Sequence, residues 1–297
     1  MKPFVLSGFA DEIALDLEHQ ISSFQALGVG YMEIRMVHGR NVIEYSLDEV
    51  KGFAALLKAA GVGVSALGSP IGKVPIDRPF DEYLNVFRHA LDVSEVLETP
   101  NIRMFSFYPA EGADIVSRRD EVLRRLEVFV REAERRGVTL LHENEADIYG
   151  ETAERCSDLF DSIRSDNFKA VFDPANFVVA RESVFPEAYE ALKRHIAYIH
   201  VKDAVPDGDG YVIKPAGEGT GRVPELLAAL IKDGYSGFLS IEPHLHSIYG
   251  KADIFTAYRK ALENGEPTDA FVADGFSQFK RAYDALIKIL KGLDAAP

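Results

Sequence analysis

The sequence predicts an α/β protein, a single (β/α)8 TIM barrel with an extended C-terminal helical segment. Short runs rich in β-branched, aromatic and aliphatic residues occur eight times along the chain. They recur at intervals of roughly 30 to 40 residues, the spacing expected when each parallel strand is followed by a crossover helix. Between them lie stretches with apolar residues at helical spacing. Eight such units are the number that closes this kind of barrel.

The predicted elements alternate regularly. The eight predicted strands cover residues 4–8, 31–35, 63–66, 102–107, 138–143, 170–173, 196–201 and 238–242. Helical patterns such as LEHQISSFQALG, SLDEVKGFAALLKAAG and RRDEVLRRLEVFVREAERRG end at a glycine, which is typical of a helix C-terminus. Ser46 and Ser117 each precede a helical pattern with an acid three residues later, so both are predicted N-terminal caps.

Residues 1–297 are predicted to form one domain, since no low-complexity linker or shift of composition divides the chain. GYVIKPAGEGTGR, residues 210–222, is predicted to be a long loop after the seventh strand. Residues from about 248 to 297 exceed one crossover helix and form the predicted C-terminal helical extension. This surplus is available to cover the barrel floor or to contact a second subunit in a homo-oligomer.

The composition excludes several classes of function. The formal charge of −14 and the pI near 5.1 oppose nucleic-acid binding, because phosphate neutralisation requires basic surface. No apolar run is long enough to cross a bilayer, and the first residues form too short an apolar stretch for a signal peptide, so no membrane partner and a cytoplasmic location are expected. Cys156 is the only cysteine, which excludes an intramolecular disulfide and a thiolate metal cluster.

Four polar residues lie at the ends of four consecutive apolar runs. They are Glu143 in VTLLHEN, Asp173 in AVFDPAN, His200 in AYIHVKD and Glu242 in FLSIEPH. Strand C-terminal ends converge on the catalytic face of a barrel, so these side chains are expected to meet. Three carboxylates together repel one another unless protons or a cation compensate. The sequence therefore predicts a divalent-metal site; its ligand types favour Mn²⁺, with Mg²⁺, Co²⁺, Fe²⁺ or Zn²⁺ as alternatives.

The segments LLHEN, FDPAN, YIHVKD, PAGEGTG and FLSIEPH resemble the xylose isomerase-like barrel superfamily, which contains sugar-phosphate isomerases, ketose 3-epimerases and inosose dehydratases. GFADEI and MEIR also resemble segments of sugar-phosphate isomerases and epimerases of this superfamily. The resemblance spans all eight predicted strands. It implies a divalent metal on Glu143, Asp173, His200 and Glu242. In the epimerase branch it further implies that Glu143 and Glu242 exchange a substrate proton from opposite faces.

Four further residues are candidates for substrate binding. Asn176 stands where the epimerase branch carries a substrate-binding histidine. That branch also has an arginine at a set spacing after its metal-binding histidine; no arginine follows His200 at that spacing here, and Lys202 and Asp203 follow it instead. Lys202 can neutralise an oxyanion or phosphate, or pair with Asp203 or a carboxylate at the barrel rim. Arg35 can grip a carboxylate or phosphate, or pair with a neighbour such as Glu33. His244 has the same strand parity as Glu242, so its side chain can reach the substrate.

The loop at 217–221 lacks a nucleotide-binding pattern. Its glycines are expected to permit tight turns, with anion binding by its amides as a minority alternative.

The favoured function is a metal-dependent isomerase or epimerase acting on a small ketose, polyol or sugar phosphate through an enediolate. The close alternative is an inosose-type dehydratase that uses the same metal and a glutamate base. A non-catalytic sugar-binding barrel is a third hypothesis, because a fold alone does not imply activity. An apurinic endonuclease-like phosphodiesterase is the least favoured, since it would need more histidines at strand ends and a less acidic surface.

Overall fold

All eight predicted barrel strands are present in a computed structural model of the chain, which describes residues 3–245, 252–266 and 268–296. The strands are β1 (Phe4–Gly8), β2 (Tyr31–Ile34), β3 (Met36–Val37), β4 (Arg40–Asn41), β5 (Gly63–Leu67), β6 (Asn101–Met104), β7 (Thr139–Glu143), β8 (Phe168–Phe172), β9 (Ile196–Val201), β10 (Asp203–Asp207), β11 (Gly210–Lys214) and β12 (Gly237–Ile241).

Eight of these strands form one parallel sheet in the order β1-β12-β9-β8-β7-β6-β5-β2. The two terminal strands of this order, β1 and β2, lie against each other, so the sheet forms a nearly closed (β/α)8 barrel. Because all eight strands run in the same direction, their C-terminal ends surround one mouth of the barrel.

The α-helices cover the outside of the barrel. They are α1 (Leu17–Leu27), α2 (Leu47–Ala60), α3 (Phe80–Val96), α4 (Arg119–Arg135), α5 (Ala153–Ser162), α6 (Pro174–Val179), α7 (Tyr189–Leu192), α8 (Val223–Lys232), α9 (Ala252–Asn264) and α10 (Asp269–Gly292). The described part of the chain holds no helix that combines the length and the apolar composition of a membrane span.

Of the two predicted helix caps, the one at Ser46 is confirmed. Its hydroxyl accepts from the Glu49 amide, and the Glu49 carboxylate accepts from the Ser46 amide, which is a capping box. The cap at Ser117 is wrong. Ser117 lies within a 3₁₀ turn, where its hydroxyl donates to the carbonyl of Asp114, and α4 begins two residues later at Arg119.

One predicted strand and one predicted loop differ from the structure. The predicted strand 102–107 ends at Met104, because the amides of Phe105 and Phe107 donate to the loop carbonyls of Ile71 and Gly72. The predicted loop 210–222 begins instead with a strand, since β10 and β11 form an antiparallel hairpin that turns at Gly208, where φ is 56°. The sequence PDGDG between two apolar runs is a turn signal of the kind that predicts such a hairpin.

The described part of the C-terminal extension is mainly helical, as predicted; residues 248–251, 267 and 297 lie outside that part. Helix α10 packs on the outside of the barrel, where Phe279 contacts Phe24 of α1 at a ring distance of 5.4 Å. A Cβ atom at Gly275 would lie 2.3 Å from the carbonyl oxygen of Ile13, so a glycine is needed for this close approach.

The barrel strands carry both apolar and polar buried residues. One apolar cluster is formed by Ala66, Leu141, Val171 and Tyr198. The hydroxyls of Ser7, Ser65 and Tyr198 form a hydrogen-bonded chain beside it. Buried charged residues such as Glu33, Arg103 and Glu143 lie on barrel strands, toward or at the ends that surround the barrel mouth.

Candidate metal centre

The four residues predicted as metal ligands meet at the mouth of the barrel. One ligand atom from each of Glu143, Asp173, His200 and Glu242 lies within 4.8 Å of all the others, and none of the four residues is more than 2% exposed. The Nδ1 atom of His200 lies 3.1 Å from Glu143 Oε1, 3.4 Å from Glu242 Oε2 and 3.7 Å from Asp173 Oδ2. Three oxygen donors and one nitrogen donor thus point at one small volume.

Local structure fixes each of these side chains. Glu143 is the last residue of β7 and His200 lies within β9, whereas Asp173 and Glu242 each follow their strand by one residue. Asp173 also caps α6, because its Oδ1 accepts from the Asn176 amide. This contact leaves Oδ2 directed at the site. The side chain of Asn144 bridges to the backbone of Asp173 through two hydrogen bonds of 2.9 and 3.0 Å.

Glu33 is part of the site and was not predicted as such. Its side chain is fully buried, and its Oε2 lies 3.2 Å from Nε2 of His200. Ser240 donates a hydrogen bond of 2.7 Å to the same oxygen. The sequence signal was an acid inside the apolar run YMEI, but only the barrel geometry places it opposite a histidine 167 positions later.

Arg103 is a second residue that sequence reasoning missed. It lies in β6, and its Nη1 is 3.1 Å from Glu143 Oε2 and 3.7 Å from Glu242 Oε1. Its Nε is 4.0 Å from Glu33 Oε1. A charged residue inside the apolar run NIRMF was the available signal, because such a residue is rarely buried without a partner.

Lys202 points into the site and does not pair with Asp203. Its Nζ lies 2.8 Å from Asp173 Oδ2 and 2.9 Å from Glu242 Oε2. Of the alternatives for this residue, the contact with a barrel-rim carboxylate is therefore the observed one. Asn176, the second candidate for substrate contact, donates through Nδ2 to Glu143 Oε1 at 3.1 Å and so holds that glutamate in place.

Arg35 and His244 bind acids from the segment GFADEI. Arg35 donates to both carboxylate oxygens of Asp11, at 2.7 and 3.3 Å, and to Glu242 Oε1 at 3.0 Å, so its partner is not Glu33. His244 is a quarter exposed, and its Nε2 lies 3.3 Å from Glu242 Oε1. The backbone amide of His244 donates to the buried Glu12.

The surrounding charges keep the glutamates ionised. Burial disfavours the charged form of Glu143, but His200 and Arg103 outweigh burial and lower the pKa of Glu143 to about 2. Against the same effect of burial, Lys202, His244 and His200 hold the pKa of Glu242 well below its usual range. Ionised carboxylates are the form that binds a cation.

The site carries more negative than positive groups. Six carboxyl groups lie together at the mouth, on Asp11, Glu12, Glu33, Glu143, Asp173 and Glu242. In the part of the chain that the structure describes, the permanently charged cations that contact them are Arg35, Arg103 and Lys202. A buried excess of carboxylates is unfavourable without a further cation. The donor set and the charge balance therefore both fit a divalent metal ion.

The glycine loop at 217–221 already binds an anion from its own chain. The carboxylate of Asp203 accepts hydrogen bonds from the amides of Gly217, Gly219 and Gly221 at 2.8 to 3.0 Å, and from its neighbour Ala204 at 2.9 Å. A Cβ atom at Gly219 would lie 2.2 Å from Asp203 Oδ1. The glycines thus allow the loop to close around Asp203, and its amides are not open to a ligand.

Comparisons with known proteins agree with this architecture. A family model described as xylose isomerase-like TIM barrel matches residues 22–265. Searching curated protein sequences gave no match. Among solved structures, the chain is similar to the IolI protein with a bound zinc atom, with a TM-score of 0.72 and 15% identity over 97% of this chain and 99% of that chain.

Two further solved structures carry names of enzymes. A D-allulose 3-epimerase from Methylomonas sp. has a TM-score of 0.68 and 13% identity over 98% of this chain and 99% of that chain. The probable 3-DHS dehydratase AsbF from Bacillus anthracis has a TM-score of 0.67 and 16% identity over 89% of this chain and 99% of that chain. At such low identities these similarities establish the fold that the proteins share.

Proposed function

The chain belongs to the xylose isomerase-like TIM-barrel family, and on that premise we propose that it is a divalent-metal-dependent sugar isomerase or epimerase. One observation carries the proposal: the four-donor cluster at the barrel mouth contains two ionised glutamates, Glu143 and Glu242, together with Asp173 and His200. A set of metal ligands that includes two carboxylate groups suits the removal of a proton from carbon and its return.

Glu143, Asp173, His200 and Glu242 would hold the metal. When bound, a divalent ion polarises a carbonyl and stabilises the negative charge of an enediolate. The imidazole must be neutral to serve as a ligand, whereas the surrounding acids raise the pKa of His200 well above its usual range in spite of burial. Metal binding is therefore expected to release the proton of His200. Mn²⁺ is the proposed ion, because oxygen ligands with one imidazole suit it well.

Glu143 and Glu242 are the proposed acid and base. A carboxylate that offers one oxygen to a cation keeps the other for proton transfer, so one residue can take both roles. Asn176 and Arg103 orient Glu143, while Lys202 and Arg35 orient Glu242. In the epimerase reaction, one glutamate would act as the carboxylate base that removes the proton next to the substrate carbonyl. The other would first take a proton from solvent and, as the carboxylic acid, return it to the opposite face, so that the two residues end with exchanged protonation states.

The proposed substrate is a small ketose or polyol. The similarity to D-allulose 3-epimerase supports a sugar, and the many carboxylate oxygens at the mouth suit a ligand that donates hydrogen bonds through hydroxyls. Arg35, Lys202, Asn176 and His244 are the proposed substrate contacts, since each contacts one of the two glutamates at the place where a sugar would lie.

A dehydratase is the second candidate, favoured by the position of Lys202. Its ammonium group lies 2.9 Å from Glu242 Oε2. A proton donor beside a glutamate base is what the loss of a β-hydroxyl as water requires. The similarity to the probable dehydratase AsbF is in keeping with this candidate.

The test begins with metal analysis of the purified protein and of a variant with Asp173→Ala and His200→Ala. We expect a stoichiometric divalent metal in the wild type and its loss from the folded variant. The metal-loaded wild type is then incubated with ketoses and polyols, and the molecular mass and the stereochemistry of the products are determined. An unchanged mass with altered stereochemistry supports epimerisation, and loss of water supports the dehydratase. A wild type that binds no metal even after loading would contradict both.

A further inference from the structure

We infer that this site accepts uncharged sugars or polyols and excludes their phosphorylated counterparts. The inference rests on the proposed sugar chemistry and specifies its substrate class. An anionic substrate needs a positive group or a set of backbone amides that is available to bind it. The described cations at the barrel mouth are already bound to carboxylates of the protein.

Among the described residues, the permanently charged cations that contact the site, Arg103, Lys202 and Arg35, are each bound to its carboxylates. Arg103 contacts Glu143 at 3.1 Å, and its side chain is only 6% exposed. Lys202, at 5% exposed, lies within 3 Å of both Asp173 and Glu242. A phosphate that approached either cation would have to replace a buried carboxylate. That carboxylate would then be left in the barrel without its partner, which is strongly unfavourable.

Arg35 is engaged in the same way. It forms two hydrogen bonds with Asp11 and a third with Glu242, and its Nη2 lies 3.5 Å from Glu12. At the rim, Lys73 is 2.7 Å from the carboxylate of Glu145 and lies over the ring of Phe105 at 4.3 Å. These cations therefore serve internal pairs.

Backbone amides offer no alternative on the described part of this face. The glycine loop that could have formed an anion-binding nest is closed around the carboxylate of Asp203, which accepts from Gly217, Gly219 and Gly221. The loop amides are used to anchor the residue that follows Lys202. A substrate phosphate would compete with a covalently tethered carboxylate and lose.

The charge balance leads to the same result. The six carboxyl groups named above outnumber the three permanently charged cations of the described residues, so one divalent ion leaves no net positive charge at the mouth when both histidines are neutral. A dianionic phosphate would be repelled, whereas the hydroxyls of an uncharged sugar would donate hydrogen bonds to the carboxylate oxygens.

The experiment compares matched pairs of ligands on the Mn²⁺-loaded protein by isothermal titration calorimetry. The pairs are D-fructose with its 6-phosphate and myo-inositol with its monophosphate, followed by any uncharged substrate found in the ketose and polyol screen with its own phosphate ester. We expect each uncharged member to bind at least about tenfold more tightly than its phosphate ester. A phosphate ester that binds as tightly as its uncharged counterpart would overturn the inference.

A variant provides an independent measurement. Asp11→Asn removes one of the acids on Arg35 and should therefore strengthen binding of each phosphate ester relative to that of its uncharged counterpart. Should no uncharged ligand bind, the proposed sugar chemistry fails, and the phosphate esters decide the inference by themselves. Binding of any of them to the wild type with a submillimolar Kd contradicts it. No binding to the wild type, with measurable binding to Asp11→Asn, upholds it.

Discussion

Glu33 and His200 face each other inside the barrel, with Glu33 Oε2 3.2 Å from His200 Nε2, while Nδ1 of the same imidazole points at the other three candidate ligands. Both side chains are fully buried, and Ser240 holds the glutamate by a hydrogen bond. A carboxylate on the far nitrogen of a ligand histidine sets its tautomer and the orientation of its ring. Glu33 is therefore expected to prepare His200 for metal binding.

Replacing Glu33 with alanine should weaken metal binding by about 10- to 100-fold, because the imidazole loses the group that orients it. Competition between the protein and a metal chelator measures the affinity. Glu98→Ala serves as the control, since that glutamate is exposed and pairs with Lys58 far from the barrel mouth. Equal affinities of Glu33→Ala and the wild type, with both proteins folded, would show that Glu33 only balances the charge of Arg103.

Replacing Glu143 or Glu242 with glutamine should reduce turnover by at least about 100-fold, because an amide cannot take up the substrate proton. An amide oxygen can still bind a cation, so metal content should fall less than turnover. Exchange of the substrate proton with deuterated solvent distinguishes the base, which removes that proton, from the acid, which returns one. The variant that still carries the base for a given substrate should still catalyse this exchange. Glu132→Gln on the surface of α4 is the matched control. Normal turnover by both glutamine variants would exclude two-glutamate chemistry.

The burial of His142 predicts that the free energy of unfolding depends on pH even without a bound metal. It faces the helical layer, its Nε2 lies 2.9 Å from the Ser106 hydroxyl, and burial lowers its pKa to about 4. The unfolded chain binds a proton near pH 6.5, so this group's contribution to stability is complete above that pH and is lost as the pH falls toward 4. Urea unfolding of metal-free protein between pH 7 and 4 should therefore show a weaker pH dependence in His142→Gln. An identical pH dependence in the two proteins would contradict the assignment.

Replacing Asp203 with alanine should lower the free energy of unfolding by about 3 kcal/mol, because buried amides lose a charged acceptor. Asp203→Asn keeps one acceptor oxygen and should cost less. Hydrogen exchange of the amides of Gly217, Gly219 and Gly221 reports on the loop itself and should become faster in the alanine variant. Unchanged protection of these amides would mean that the loop does not depend on Asp203.

Several features of the site could not be predicted from the sequence. Arg35 was a candidate partner of Glu33 because the two are close in sequence and share strand parity, yet Arg35 binds Asp11 and Glu33 lies near Arg103. Lys202 likewise avoids its neighbour Asp203, whose carboxylate is already surrounded by loop amides. Partners of a charged group are decided by which strands adjoin and how far each side chain reaches, and neither is visible in local spacing.

The sequence by itself determined the barrel and the places of its four candidate ligands. Apolar runs that alternate with helical patterns define the strands. Because these strands are parallel, their C-terminal ends bring Glu143, Asp173, His200 and Glu242 to one mouth of the barrel. Only the tertiary structure decided that Glu33 and Arg103 join them and that the cations are neutralised internally. The physical reason is distance along the chain: Glu33 and His200 are 167 residues apart, and strand order and register alone make them neighbours.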